Sequence, residues 1–245
     1  MSDQFVFGLH AVAALINHPN RPIKHIFVSA TRQDQRMQSL LTRLQEAGIP
    51  ATPLSSAKMD TKFPDVVHQG IVAVTKPLPV YQEQDIPTLL NERSTPPLIL
   101  ILDGVTDPHN LGACMRSADG AGVDFIIIPK DNSASLTPTV SKVACGAAET
   151  IPLIRVTNLA RTLETLKQLG VWIFGAAEDA PQTLYQLDAD RALALVLGAE
   201  GEGMRRLTKE RCDGLFSIPM HGAVPSLNVS VAAGVCLFEI RRQRS

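Results

Sequence analysis

The chain has no excess of positive charge: 23 Lys and Arg stand against 24 Asp and Glu, a formal net charge of −1. That excludes a protein that coats nucleic acid by bulk electrostatics, which calls for a clear basic surplus. Any contact with RNA must therefore be local. Aromatic residues are scarce, at 4%, so extended base stacking is not expected to dominate binding. No stretch approaches the ~20 uninterrupted apolar residues that span a bilayer, and the opening MSDQFVFGLH lacks the basic-then-apolar layout of a signal peptide. The sequence reads as cytoplasmic, with no membrane partner. Cys114, Cys145, Cys212 and Cys236 are widely spaced, with no C-x-x-C pair and no His cluster beside them. Neither a metal site nor a disulfide framework is suggested, and reduced, mostly buried thiols are expected.

What is present is ample apolar material, 45% of 245 residues, enough to bury a real core. Residues 1–75 read as a small α/β domain: HAVAALI as a helix, HIFVS as a strand, RMQSLLTRLQEAG as a helix ending at Gly48, and GIVAVT as a strand. Residues 76–97 carry Pro77, Pro79, Pro87, Pro96 and Pro97, whose missing donors break regular pairing, and read as a linker with one short helix near Ile86 to Glu92. From Leu98 to Ser245, buried runs (LILILD, FIIIP, IPLIRV, VWIFGAA, LALVLG) alternate with helical stretches, which indicates an α/β domain with a mostly parallel sheet covered on both faces. Basic residues gather in two places. The first 75 residues hold seven Lys/Arg against five Asp/Glu, plus four His, and Arg205, Arg206, Lys209 and Arg211 cluster later. Solvated helix faces explain both as well as RNA contact does.

Three segments of the second domain could carry chemistry. DGVTDPHNLGACMRSADGAG leaves the carboxyl end of a strand and turns into a helix, where open α/β sheets place ligands. Pro108 and Asn110 shape the turn, Gly112 permits close approach, and Arg116 follows about two helical turns after the strand; a plain turn with a cap at Asn110 and a surface Arg fits equally. In LVLGAEGEGM an apolar strand runs into Gly198, Gly201 and Gly203, which let backbone groups come near a ligand. This G-x-x-G-x-G spacing is not the dinucleotide fingerprint, and Glu200 and Glu202 would repel a pyrophosphate. SIPMHGAVPSLNVSVAAGVCLFE reads as a short strand, a polar loop and an apolar helix from about Leu227, with Ser226 a reasonable cap and Ala232, Ala233 and Gly234 suited to close packing in the core or a dimer.

Taken together and in this order, D-P-x-N-x-G followed by R-S-A, G-x-E-G-x-G, and I-P-M followed by S-L-N-V-S-V-A resemble the signature motifs of the SpoU/TrmH branch of the SPOUT methyltransferases. The N-terminal FGLHAV and VHQGIVA segments extend the likeness over essentially the whole chain. The resemblance implies a catalytic sheet tied in a deep trefoil knot, a homodimer, and a small N-terminal RNA-binding domain. It implies methyl transfer from S-adenosyl-L-methionine, without a metal, to a guanosine ribose 2'-OH in the peptidyl-transferase P loop of 23S rRNA, free or in a pre-50S particle. By motif position, Gly198, Gly203, Ile218, Met220 and Leu227 would hold the methyl donor. Asn110, Arg116, Glu200, Ser226 and Asn228 would form the reaction side, and His10, His68 and Gln69 are candidate RNA contacts that serve equally as capping or core residues.

The arginine matching Arg116 is sometimes written as the general base of this family. A guanidinium with a pKa above ~12 is a poor proton acceptor, and stabilising the developing alkoxide while gripping a neighbouring phosphate suits it better. A tRNA guanosine 2'-O-methyltransferase shares the motifs but typically relies on basic terminal extensions rather than a folded N-terminal domain. A non-catalytic ribosome-assembly factor would not need Asn110, Arg116 and Asn228. A Rossmann dehydrogenase would need the other glycine spacing.

Overall fold

The computed structural model describes residues 3–16, 22–64, 66–77, 81–92, 94–199, 201 and 203–245. The chain forms two compact units, Met1–Pro79 with Cys145–Thr150, and Val80–Ala144 with Ile151–Ser245.

In the first unit β1 (Gln4–Phe7), α1 (Leu9–Ile16), β2 (Ile23–Ser29), α2 (Gln35–Glu46), β3 (Ala51–Leu54), α3 (Ser56–Lys62) and β4 (Ile71–Thr75) follow one another. The sheet order is β1-β4-β2-β3, with β4 antiparallel to both neighbours and β3 parallel to β2. α2 shows how the sequence writes these elements. Asp34 caps it by accepting from the backbone N of Arg36 and Met37, Met37, Leu40 and Leu44 recur on one buried face, and Gly48 stops it at φ +67°. Those side chains join Val6, Val12, Leu15, Ile26, Val28, Ile71 and Ala73 in a core on one side of the sheet. A smaller cluster of Met59, Phe63 and Val72, with Phe7 and Phe27 against it, covers part of the other side.

The second unit contains β5 (Tyr81–Gln82), α4 (Ile86–Asn91), β6 (Leu98–Asp103), α5 (Pro108–Gly120), β7 (Phe125–Pro129) and α6 (Pro138–Val143). After α7 (Ala147–Thr150), which belongs to the first unit, come β8 (Leu153–Val156), α8 (Leu159–Gln168), β9 (Trp172–Ala176), β10 (Gln182–Thr183), β11 (Leu193–Gly198), α9 (Arg206–Arg211), β12 (Gly214–Ser217) and α10 (Val229–Gln243). The eight strands run β10-β12-β9-β11-β6-β7-β8-β5 and every described pairing is parallel. Every residue of β6 and β7 is buried, as expected of strands covered on both faces. Ile99 and Ile101 pack with Phe125, Ile127, Ala194, Val196 and the Leu159, Leu163 and Leu166 stripe of α8. Each such fully buried aliphatic side chain contributes about 1.5–3 kcal/mol over an exposed one. Leu98, Leu100 and Leu102 alternate to the opposite face, where α10 lies against α5 and β11.

The expected parallel α/β unit is present, and the details differ where the signals are short. Within residues 76–97, Tyr81–Gln82 pairs with β8 as an edge strand, and Ile86 and Leu89 of α4 enter the main core. β3 escapes notice because Pro53 sits in it; as an edge strand it tolerates a residue with no N–H. Among the described residues no helix is long and apolar enough to cross a membrane.

Candidate functional site

Strands β12, β9 and β11 are neighbours and parallel, so their carboxyl ends lie side by side. A cavity of about 380 Å³ opens there, the position that parallel sheets reserve for ligands and a volume typical of small-molecule sites. Its walls come from the ends of all three strands: Ala176 to Asp179 after β9, Leu197 to Ala199 with Gly201, Gly203 and Met204 after β11, and Ile218 and Met220 after β12. Pro225, Ser226 and Leu227 close it, with Val229 and Ala232 from the start of α10.

The glycine loop is folded back on itself. Ala199 N donates to Gly203 O at 3.1 Å and Gly203 N to Ala199 O at 2.9 Å. This closure brings backbone onto Gly198: a Cβ there would stand 2.0 Å from Gly203 C and 2.2 Å from Met204 N. Gly198 is thus required by the loop's own path, and Gly198, Gly201 and Gly203 offer the cavity backbone alone. The cavity's charged rim is Glu178, Asp179 and Lys209. Lys209 Nζ donates to both Asp179 oxygens, at 2.9 and 3.1 Å, and its hydrogen bond holds the exposed carboxyl below its ordinary range.

A second cluster adjoins on α5 and α10. Asp107, followed by Pro108, caps α5 by accepting from His109 N at 2.9 Å, so Asn110 sits inside the first turn rather than at the cap. Asn228 caps α10 through Ser230 N at 2.9 Å; Ser226, the residue expected in that role, is an exposed loop residue on the cavity wall. Asn228 Nδ2 also donates to Asn110 Oδ1 at 3.0 Å, tying the two helix starts together. Gly112 admits α6, since a Cβ there would be 2.7 Å from Val143 Cβ, and Gly234 faces Ser117 across the α5–α10 contact.

Of the residues singled out in the sequence, Gly198, Gly203, Ile218, Met220, Ser226 and Leu227 all line the one cavity. Asn110 and Asn228 meet each other beside it. Arg116 is exposed on α5 and is not part of the cavity wall. Glu200 lies outside the described residues. In the first unit His10 is exposed on α1. His68 is held by Asp60 Oδ1 at 3.1 Å and by Gly70 N, which donates to Nδ1 at 3.0 Å. Gln69, at φ +51°, accepts from Leu9 N through its side chain and from Arg32 through its carbonyl. His68 and Gln69 are therefore engaged in closing a loop. The late basic cluster is neutralised residue by residue: Arg205 faces Asp103, Arg206 Glu210, Lys209 Asp179 and Arg211 Glu164. It forms a mixed-charge surface rather than a basic patch. The Ala176–Asp179 wall went unnoticed in the sequence, although the end of a buried strand beside LVLG is a signal that could have found it.

Burial pushes the Cys114, Cys212 and Cys236 thiols up to about 12, which leaves them without nucleophilic character at neutral pH.

Comparison with known proteins agrees over the full length. The model of the SpoU rRNA Methylase family matches residues 97–238, and that described as RNA 2'-O ribose methyltransferase substrate binding matches residues 5–81. The chain is 55% identical over 242 residues to a protein of Pectobacterium atrosepticum named 23S rRNA (guanosine-2'-O-)-methyltransferase RlmB, covering 99% of each. It is 54% identical over 243 residues to the protein of that name from Escherichia coli strain K12, covering 99% of this chain and 100% of that one. Among solved structures, the SpoU methyltransferase AviRb of Streptomyces viridochromogenes, determined in complex with AdoMet, superposes with a TM-score of 0.76 at 22% identity, over 99% of this chain and 90% of that one.

Proposed function

The chain belongs to the SpoU rRNA methylase family, and from that premise we propose that it transfers a methyl group from S-adenosyl-L-methionine to the ribose 2'-OH of one guanosine in the P loop of 23S rRNA. The observation that carries the reading is the convergence of two sequence motifs, 20 positions apart from Gly198 to Ile218, on one cavity at the strand ends, with the Asn110–Asn228 pair beside it.

The cavity fits the methyl donor. Its apolar wall of Leu197, Ile218, Met220, Leu227 and Val229 suits a flat purine, and its glycine backbone permits close approach. Lys209 and Asp179 at the rim match an amino-acid carboxylate and ammonium. S-adenosyl-L-methionine, when bound, supplies an electrophilic sulfonium methyl. The protein's task is to align a ribose oxygen with it and exclude water, and such positioning can remove roughly 7–11 kcal/mol of barrier.

Asn228 spends its Oδ1 on the cap of α10 and its Nδ2 on Asn110. With its Oδ1 engaged, Asn110 directs its own amide N–H groups away from Asn228, as donors for the ribose or an adjoining phosphate. Arg116, on the same helix, grips a phosphate bidentately and stabilises the alkoxide as it develops, while a phosphate oxygen or water takes the proton. Glu200 and Ser226 complete the reaction side. The first unit selects the RNA by backbone and shape, presenting a splayed nucleotide, with His10 at its surface. The methylase works as a cytoplasmic homodimer on 23S rRNA or a pre-50S particle, its catalytic sheet tied in the trefoil knot of its family. Val231 and Phe238, 52% exposed each on α10, are apolar surface of the kind an isologous interface buries.

Tritiated methyl transfer tests the reading, with 23S rRNA and bulk tRNA as alternative acceptors followed by primer-extension mapping. A single labelled 23S guanosine is expected. Label in tRNA alone would replace the substrate, and label in neither would indicate a non-catalytic assembly factor.

A further inference from the structure

Asp103 closes β6 with its side chain wholly buried. A carboxylate in such a place is costly unless it is paired and hydrogen-bonded, and a sheet core needs none. Its partners are specific. Oδ2 accepts from the backbone N of Arg205 at 2.9 Å, while Oδ1 accepts no hydrogen bond and faces the Arg205 guanidinium only at ion-pair distance, 3.6 Å from Nε. Arg205 in turn reaches Asp131 O through Nη2 at 3.5 Å.

The location explains the choice. Asp103 is the direct cross-strand partner of Gly198, the last residue before the glycine loop, while Arg205 is the residue with which that loop enters α9. Gly104, at φ +84°, would place a Cβ 3.6 Å from Ala199 Cβ. The Asp103–Gly104 step therefore touches the loop where it leaves β11 and where it enters α9. The loop spans the interval between these two fixed points, and its self-closing Ala199–Gly203 pair lies inside it.

We propose that Asp103 is a positioning residue: its hydrogen bond from Arg205 N, backed by the ion pair with the Arg205 guanidinium, fixes the span of the glycine loop and so sets the affinity for the methyl donor. This rests on the reading that the cavity holds S-adenosyl-L-methionine. A carboxylate suits the place because one oxygen accepts from Arg205 N while the charge on the other faces the Arg205 guanidinium. An amide could keep the bond from Arg205 N, but it would then turn its NH2 toward Arg205 Nε, donor against donor. Because β6 continues directly into the turn before α5, the same residue also keeps the donor loop in register with the helix that carries Asn110 and Arg116.

The test compares wild type, Asp103→Asn, Arg205→Ala and the double variant by calorimetric titration with S-adenosyl-L-methionine and by steady-state kinetics, each variant checked by circular dichroism. Asp103→Asn is expected to raise Kd and KM for the donor about tenfold, with kcat at saturating donor within about threefold of wild type. The double variant should be no weaker than the worse single one, since both remove the same ion pair and leave the backbone N–H of residue 205 in place. Loss of kcat with unchanged KM, or unchanged donor affinity in folded Asp103→Asn, would overturn the proposal. Should Asp103→Asn fail to fold, Arg205→Ala decides: it leaves the buried carboxylate without its cation, so weaker donor binding is expected and wild-type binding contradicts the proposal. Failure of wild type itself to bind the donor would instead overturn the reading of the cavity, and this inference with it.

Discussion

Replacing Gly198 by alanine puts one methyl group where the structure has backbone. The added Cβ would lie 2.0 Å from Gly203 C, 2.2 Å from Met204 N and 2.4 Å from Gly203 O, against an ordinary contact of 3.4 Å or more. Restoring that contact requires the loop to retreat by about 1.4 Å, the difference of the two distances. The atoms in the way belong to the main chain and cannot rotate aside. Overpacking of this kind costs about 1–3 kcal/mol, and the two Ala199–Gly203 bonds, worth ~1 kcal/mol each, are strained or lost. If the loop gives way, most of that cost appears as a displaced cavity wall, and donor affinity should fall ten- to a hundredfold, or about 1.4–2.8 kcal/mol. Gly201→Ala is the control: its Cβ meets nothing within 4 Å, and only the strain of φ +79° applies, about 1–2 kcal/mol. Calorimetric titration with S-adenosyl-L-methionine, beside thermal melting of each variant, separates binding from folding. Gly198→Ala that binds the donor within twofold of wild type and melts with it would refute the argument that loop closure builds the site.

Other substitutions probe other parts. Asn228→Asp keeps an acceptor for the α10 cap, so its melting should stay within about 0.5 kcal/mol of wild type, while loss of the amide donor to Asn110 should lower kcat more than tenfold; equal turnover would show that the Asn pair is ornamental. Gly112→Ala forces a Cβ to 2.7 Å from Val143 Cβ and should melt several degrees lower, with donor affinity unchanged by calorimetry. Raised thiol pKa values mean the protonated form persists as pH rises toward about 12. At pH 8 only about one thiol in ten thousand is ionised, so iodoacetamide should leave Cys114, Cys212 and Cys236 unmodified in the native protein and label them after unfolding, read by mass spectrometry.

How much was legible in the sequence follows from the length of each signal. LILILD, FIIIP and LALVLG announce buried parallel strands because both faces are covered and apolar residues run without alternation. β5 and β10 are two residues long and lie at the sheet's edges, too short for any pattern, and α7 has only four. The cavity residues of the second and third segments were found because motif and geometry coincide, whereas its β9 wall has no composition that distinguishes it from any strand end. Partners distant in sequence were invisible: the cations at 205, 206, 209 and 211 look like a basic patch until Asp103, Asp179 and Glu164 arrive from elsewhere in the chain. Capping was misplaced for a similar reason. Ser226 and Asn228 are both good cap residues, and only the path of the preceding loop decides that the helix begins at Val229.

In the proposed mechanism Arg116 acts on the RNA side of the site and is not part of the wall of the cavity assigned to the methyl donor. Single-turnover methylation of 23S rRNA by Arg116→Ala and Arg116→Lys, with donor affinity measured on the same preparations, tests it most directly. Both variants should bind S-adenosyl-L-methionine as wild type does. Methyl transfer should be nearly abolished in Arg116→Ala and strongly reduced in Arg116→Lys, whose point charge cannot reproduce the guanidinium fork. Near-wild-type transfer by either variant, or loss of donor binding in both, would contradict it.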